Sequence, residues 1–514
     1  MTKNACVAFG LAAIIVLFAA LGLSLASTRG ALAMAPIYDD CAYLLDAYRR
    51  LAFDGVNSII EGARSFYRQP PHAPVETASI MIGYSLFGGS DAGPYIMNIW
   101  GLSVYAASIF FVVSRRLQAV PSILWTALMM FVPAAGAIMT ELRPDMIAGV
   151  LFAIVAYFLI TFQYDGAPMK RAIAIGLLAG FSLIVKPTAI IITLPMLGLA
   201  WVIGIVKSKL SASVPKASLM AAAALAILIP FAVVWGQQTF EYVYAVFFTN
   251  GDVWVTPGGA LFQWTYNSIG PGGKIALNQY FYIGAVVIAL DVLGVAIRKD
   301  WRQSHTALSY YAWTAIIYAG IAANSQKSPF QGSFFYFPFV IALTIAASRL
   351  LGKTKRPRRF IVPALVLVAI FLPPATTYQD ARQRPESLAM LDQIGQIITQ
   401  APACNGSRSL AAVGPYPITP EAAALRAAKN GTAVEVRPLF LVRDRDEFVS
   451  SALNSSVVSF PNSAGRKEAE AQRLPGLTHM DELVKILDGD PSWRRITLEA
   501  SDPSFVFVKA ACAP

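Results

Sequence analysis

Eleven apolar runs occupy most of the first three quarters of this 514-residue chain, near residues 5–26, 95–113, 121–139, 146–162, 172–185, 188–206, 218–235, 280–297, 306–323, 333–351 and 360–374. A bilayer core requires about 20 apolar residues per spanning helix, and backbone polar groups in lipid must be satisfied within the segment itself. The runs therefore predict a polytopic α-helical membrane protein of about 11 spans. Only 14% of the residues are charged, against about a quarter in a soluble domain, which excludes a purely soluble enzyme. Runs 172–185 and 188–206 are parted only by Lys186 and Pro187; a proline there demands a break, so they are read as two short spans.

The net charge of +11 first suggests a nucleic-acid partner, but its distribution argues otherwise. With the N-terminus inside, the alternate loops hold 17 basic residues, among them Arg115, Arg116, Lys170, Arg171, Lys207, Lys209, Lys216 and Arg298, against only Asp165 and Asp300. The opposite loops and the spans up to residue 374 hold nine basic and twelve acidic residues. That bias is the positive-inside signature of membrane topology, and it places the other loops on the non-cytoplasmic side. Lys3, the first apolar run and the stretch ALAMA also resemble a signal peptide, but the run is longer than a usual signal core, which favours a retained span.

Three larger pieces lie on the outer side. The first loop, 27–94, contains DDCAYLLDAYRRLAF, with Tyr43, Leu44, Ala47, Tyr48 and Leu51 at helical spacing, as in a helix lying along a membrane surface. The loop 236–279, rich in Gly, Asn and aromatic residues, reads as a flexible loop or lid. From about residue 375 to 514 the composition changes to 15 basic and 16 acidic residues. There the strand-like runs SLAAV, AVEV, SVVSF, RRITLEA and SFVFVKA alternate with helix-like stretches near 386–400, 420–430, 444–453 and 480–488, predicting a soluble α/β domain whose last two strands form a hairpin. Cys404 and Cys512 bracket it; they form either a stabilising disulfide, if the compartment is oxidising, or two unrelated thiols. No cysteine spacing suggests a structural zinc site.

Charges are scarce in the membrane part, so those on the outer side stand out. Asp39 and Asp40 follow the first span: a carboxylate here can serve as general base, or Asp40 can simply cap its helix. Glu141, Arg143 and Asp145 lie together in ELRPD before the fourth span. Arg143 suits phosphate recognition, or an ion pair with its neighbours. Lys186 has no acidic neighbour in sequence, which favours an anionic ligand over snorkelling. Arg68, His72 and Glu76 flank the prolines of RQPPHAPVE; His72 and Glu76 are candidate metal ligands, although a lone loop histidine is more often merely solvated. No GxGxxG, Walker A, GxSxG or HExxH pattern occurs, so nucleotide-driven chemistry has no support.

In order and spacing, YDDCAYLLDAYRRL, QPPHAP, SLFGGSDAGPYIMN, LRPD and GFSLIVKPTAIIITLPML together resemble the protein O-mannosyltransferase and lipid A aminoarabinose transferase group of GT-C-type membrane glycosyltransferases, over about residues 10–210. The resemblance implies transfer of a hexose or pentose from a polyprenyl-phosphate donor to a lipid, glycan or protein acceptor at the periplasmic face of the inner membrane. Residues 1–374 would form the transferase domain and 375–514 a periplasmic α/β domain. Asp39 matches the catalytic aspartate, Asp40 the acidic residue after it, Asp145 the second acidic position and Lys186 the outward lysine. Members often carry lysine just before PP, where this chain has Gln69, so Arg68 becomes the substitute phosphate contact alongside Arg143 and Lys186. The resemblance fixes no cofactor; a divalent cation is left open. Membrane lipids are expected partners and nucleic acid is not. A transporter or flippase of lipid-linked glycans and a non-catalytic envelope assembly protein are the rival readings; only Asp291 lies clearly inside a span and no internal repeat is visible, which counts against transport.

Overall fold

The computed structural model describes residues 3–37, 39–51, 55–249, 251, 253, 255–352, 360–365, 386–404 and 406–511. Helix α1 (Lys3–Arg29) is followed by α2 (Asp39–Arg50), α3 (Gly55–Arg68), α4 (Pro74–Leu86), α5 (Ala92–Met97) and α6 (Ile99–Ser114). Next come α7 (Ala119–Met130), α8 (Pro133–Thr140), α9 (Pro144–Thr161), α10 (Met169–Val185), α11 (Ile190–Val206) and α12 (Leu210–Tyr244). The membrane part continues with α13 (Ala260–Thr265), α14 (Pro271–Ala276), α15 (Gln279–Arg298), α16 (Trp301–Ala323), α17 (Ser333–Leu351) and a helical segment α18 over 360–365.

All eleven apolar runs thus begin in helix, although most of the last one lies outside the described residues. Among the described residues, seven helices are long and apolar enough to span a bilayer alone, and an eighth span results if α7 and α8, bent by 69° at their break, count as one. The shortfall from eleven reflects segments such as α10, only 17 residues long. Helices α9 and α17 are apolar on every side and 89% buried over their central windows, whereas α11, α12 and α15 are only 22% buried. A helix apolar all round belongs in the centre; α9 and α17 therefore form the axis, and the others face lipid. Helix α10 packs closely along α12 because Gly176 and Gly180 lie at the contact, where a Cβ would strike the carbonyl oxygens of Met220 and Ala224. Small residues four apart allow such backbone approach.

Asp291, the intramembrane carboxylate, is buried and accepts hydrogen bonds from Arg349 Nε at 2.7 Å and Tyr311 Oη at 3.0 Å, tying α15, α16 and α17 together. A charge in a span demands such a partner.

Two expectations for the outer pieces change. Helix α2 does not lie along a lipid surface: Tyr43, Leu44, Ala47 and Leu51 are buried, packed with α4 and with a helix of the C-terminal region. The loop after α12 is partly ordered rather than a free lid. Its Thr256 N–H donates to Ser325 O at 3.1 Å and its Asn267 Oδ1 accepts from Tyr336 Oη at 2.9 Å, while Val253 is buried against Ala469 and Leu474.

The C-terminal region contains α19 (Glu386–Gln400), α20 (Pro420–Lys429), α21 (Arg445–Leu453), α22 (Ser463–Ala471) and α23 (Met480–Gly489). They surround a five-stranded sheet of β1 (Arg408–Ala412), β2 (Val434–Pro438), β3 (Val457–Phe460), β4 (Trp493–Thr497) and β5 (Phe505–Lys509), in the order β2-β1-β3-β5-β4. β1 pairs in parallel with β2 and β3, whereas β5 is antiparallel to β3 and β4. Every strand-like run forms a strand and the final pair is antiparallel, as the connection of only seven residues between Thr497 and Phe505 requires. Cys404 is disulfide-bonded, and Cys512, the partner expected for it, lies outside the described residues. Cys6 and Cys41 are free.

Candidate active site

Asp39 and Asp40 open α2, facing the ELRPD turn between α8 and α9. That turn exists because Pro144 starts α9 at its N1 position, leaving Arg143 extended at the N-cap, a place where proline is pre-organised for helix. Arg143 bridges both aspartates: Nη1 lies 2.7 Å from Asp39 Oδ2 and Nε 2.9 Å from Asp40 Oδ1. The Leu142 N–H donates to Asp40 Oδ2 at 3.0 Å, and the guanidinium sits 4.1 Å above the Phe330 ring. The exposures are unequal. Asp40 and the Arg143 side chain are buried, while the Asp39 side chain is 58% exposed. The capping role considered for Asp40 thus gives way to partners a hundred residues along the chain, and Arg143 reaches beyond its own short loop.

A second pair stands beside the first. Lys186 Nζ lies 3.2 Å from Asp145 Oδ2, and the Asp145 carbonyl accepts the Ser333 hydroxyl at 2.7 Å, fixing α9 against α17. Lys186 occupies the break between α10 and the 3-10 turn Pro187–Ala189 that leads into α11, so the Lys-Pro dipeptide turns the chain and presents the charge. Sequence offered this lysine no acidic neighbour; the fold supplies one 41 positions away.

His72 and Glu76 close the cluster from the α4 side. The His72 ring lies tilted by 51° at 4.0 Å from Tyr242 at the end of α12 and near-parallel at 6.1 Å to Tyr43. Burial and the Lys186 charge push its pKa down to about 4 despite Asp39 and Asp145, so the ring is neutral at pH 7. Glu76 is buried, and its Oε1 has no hydrogen-bond partner among the described residues. Burial, with Asp40 and Asp145 nearby, pushes its carboxyl up to about 8 against the pull of Lys186. Crowding by the surrounding protein removes some water from the open Asp39 carboxylate and acts against its charge, but Arg143, Lys186 and His72 outweigh it and hold that carboxyl below the usual range. For Arg143, burial is opposed by Asp39 and Asp40, and for Lys186 by Asp145 and Asp39; both cations are held more firmly protonated than usual.

Six of the eight expected residues therefore converge directly or through one neighbour: Asp39, Asp40, Arg143, Asp145, Lys186 and His72, with Glu76 within electrostatic reach. Arg68 does not join them: it ends α3 as an exposed side chain with no ion pair among the described residues. Nor do His72 and Glu76 belong to a metal-binding group; among the described residues no three His, Cys, Asp or Glu side chains are gathered to hold an ion. Sequence reasoning missed Phe330, Tyr43 and Tyr242 as site residues, since aromatic residues are ordinary in a chain this apolar and become informative only beside charge.

The raised Glu76 carboxyl has a testable consequence. Between about pH 4.5 and 8 the folded protein retains a proton that the unfolded chain releases, so stability falls as pH rises through that window and the penalty is complete above about 8. At pH 7 the penalty is on the order of 3 kcal/mol. Melting in detergent is expected to show wild type losing stability from pH 5 to 8 and Glu76→Gln losing much less; equal slopes would refute the assignment.

Residues 71–235 match the family model for dolichyl-phosphate-mannose-protein mannosyltransferase. No curated protein matches the chain in sequence. Among solved structures, ArnT from Cupriavidus metallidurans in the apo state superposes with a TM-score of 0.57 at 13% identity, covering 99% of each chain. The same protein bound to undecaprenyl phosphate gives 0.55 at 12% identity, covering 100% of each. The Archaeoglobus fulgidus oligosaccharyltransferase, in complex with Zn and sulfate, gives 0.52 at 11% identity over 97% of this chain and 73% of its own. The matched segment contains His72, Glu76, Arg143, Asp145 and Lys186, and the fold likeness spans the whole chain. Segment and fold agree in direction: over residues 71–235 the chain is similar to the dolichyl-phosphate-mannose-protein mannosyltransferase family, and along its whole length it has the fold of ArnT, that of a multi-pass membrane protein.

Proposed function

We propose that the protein transfers a sugar from a polyprenyl phosphate to an envelope acceptor at the periplasmic face of the inner membrane, with Asp39 as general base. The observation that carries this reading is the unequal pair at the head of α2. Asp40 is buried and anchored by Arg143 and Leu142, whereas its neighbour Asp39 is bound to the same guanidinium yet 58% exposed. A carboxylate fixed on one edge and open on the other can meet an incoming hydroxyl or amine. The acceptor oxygen or nitrogen forms a bond to the anomeric carbon, its proton passes to Asp39, and the bond from that carbon to the phosphate oxygen breaks, the electron pair leaving on the phosphate. One displacement inverts the anomeric configuration.

Arg143 is then a positioning residue, since two of its edges serve Asp39 and Asp40 and its face covers Phe330. Lys186 is better suited to the donor phosphate: one ammonium proton meets Asp145, and two remain. The likeness to ArnT, which has been crystallised with undecaprenyl phosphate, supports this donor class. Arg68, exposed and apart, has no role in this reading.

The test is purified protein supplied with polyprenyl-phosphate pentoses and hexoses, with product configuration read by NMR. Lys186→Gln is expected to raise the donor KM about tenfold or more, the value of a charge-assisted contact. An unchanged donor KM would remove Lys186 from the phosphate site, and a retained configuration would remove the single displacement.

A further inference from the structure

The segment that carries the proposed base is tied to the C-terminal domain at its root. The Ala35 N–H donates to Ser387 Oγ at 2.9 Å in a buried contact between positions 352 residues apart. Six residues later Cys41 Sγ donates to Pro36 O at 2.8 Å, and Thr419 Oγ1 donates to Cys41 Sγ at 3.0 Å, with Pro36 O a further 3.4 Å acceptor for the same hydroxyl. Burial pushes the Cys41 thiol well above its usual range, so it keeps the proton this ring requires. Thr419 is itself the N-cap of α20, and Ala422, Ala423 and Leu425 of that helix share one apolar cluster with Leu44 and Leu45 of α2. Farther out, Arg49 reaches Val434 O, and Lys429 reaches Asp91 and Gly89 O. Residues 35, 36 and 41 are thus gripped on both sides of Asp39 and Asp40 by side chains from α19 and the start of α20.

We infer that the C-terminal domain is part of the site's framework: Ser387 and Thr419 are positioning residues that hold residues 35, 36 and 41 so that Asp39 and Asp40 meet Arg143. The sidedness of the contact fits that role. An interface serving only to dock the domain could lie anywhere on the outer surface, yet its buried polar bonds fall on the few residues flanking the acidic pair. The inference rests on Asp39 being the reacting carboxylate, but its first readout does not.

That readout is amide hydrogen exchange on the full-length protein in detergent. The Leu142 N–H donates to Asp40 and not to Thr419 or Ser387, so its protection reports whether the acidic pair is held in place. Thr419→Val and Ser387→Ala are expected to speed exchange about three- to tenfold in 35–51, as loss of a neutral hydrogen bond implies, and about tenfold or more at Leu142, whose acceptor Asp40 is charged, with β1 and β5 unchanged as a control for folding. Thr419→Ser, which keeps the hydroxyl, is expected to restore protection. In turnover with a polyprenyl-phosphate sugar, kcat should fall about 10- to 100-fold for displaced reacting groups, with donor KM little altered. Wild-type protection at Leu142 in both variants would overturn the proposal, and so would faster exchange there with unchanged kcat. A wild-type protein that transfers no polyprenyl-linked sugar would defeat the proposed function, while the exchange arm would still decide whether the domain holds the acidic pair.

Discussion

Asp39→Asn is expected to abolish nearly all transfer while leaving the protein folded. Asparagine keeps the size and one hydrogen-bond acceptor for Arg143 but cannot take a proton, and a positioned base contributes about a hundred- to ten-thousand-fold. Stability should hardly change. The Asp39 side chain is 58% exposed, and an exposed ion pair contributes roughly 0–1 kcal/mol. Because its carboxyl is held below the usual range, wild-type activity should not decline through loss of this base until the solution is distinctly acidic. Donor turnover and melting temperature measured on the same preparation separate the outcomes. Full turnover in Asp39→Asn would remove it as base and favour a non-catalytic reading of the cluster, whereas lost turnover with a lowered melting temperature would point to damage instead.

Arg143→Met is expected to have the largest effect on stability. Its partner Asp40 has no exposed surface, and losing the guanidinium leaves that carboxylate with Leu142 N–H but without its countercharge. Removing one member of a buried pair costs about 3–5 kcal/mol, mostly from the stranded charge. The diagnostic is the double variant. Adding Asp40→Asn removes the stranded charge while retaining an oxygen for Leu142, so Arg143→Met with Asp40→Asn should recover much of the loss in detergent melting. If the second change deepens the loss, Asp40 is not the group that Arg143 compensates.

The membrane architecture was legible because a bilayer accepts few solutions. Apolar runs and the Lys186-Pro187 break are local properties, and helices appear at those runs and part at that break. The five strands of the tail were legible for a similar reason, since their alternation has a period of two. Count and placement were harder. Whether α7 and α8 make one span or a bent pair depends on a 69° turn at their break, and whether α2 rests on lipid or protein depends on α4 and α20. The same apolar stripe serves either surface, so burial decides and periodicity does not.

The candidate site divides in the same way. Sequence alone determined that a few outward charges in an apolar chain must be paired, hydrated or liganded, and it named Asp39, Asp40, Arg143, Asp145 and Lys186. Which charge meets which was settled only by the fold, because Arg143 lies about a hundred residues from Asp39 and Asp40, and Lys186 finds Asp145 across two helices. Tertiary packing also set Asp40 inside and Asp39 outside, removed Arg68 from the cluster and brought Ser387 and Thr419 to the root of α2. Composition and spacing report what each segment must bury; Coulomb and hydrogen-bond energies act over a few ångströms, so their partners are chosen only when distant segments are brought into contact.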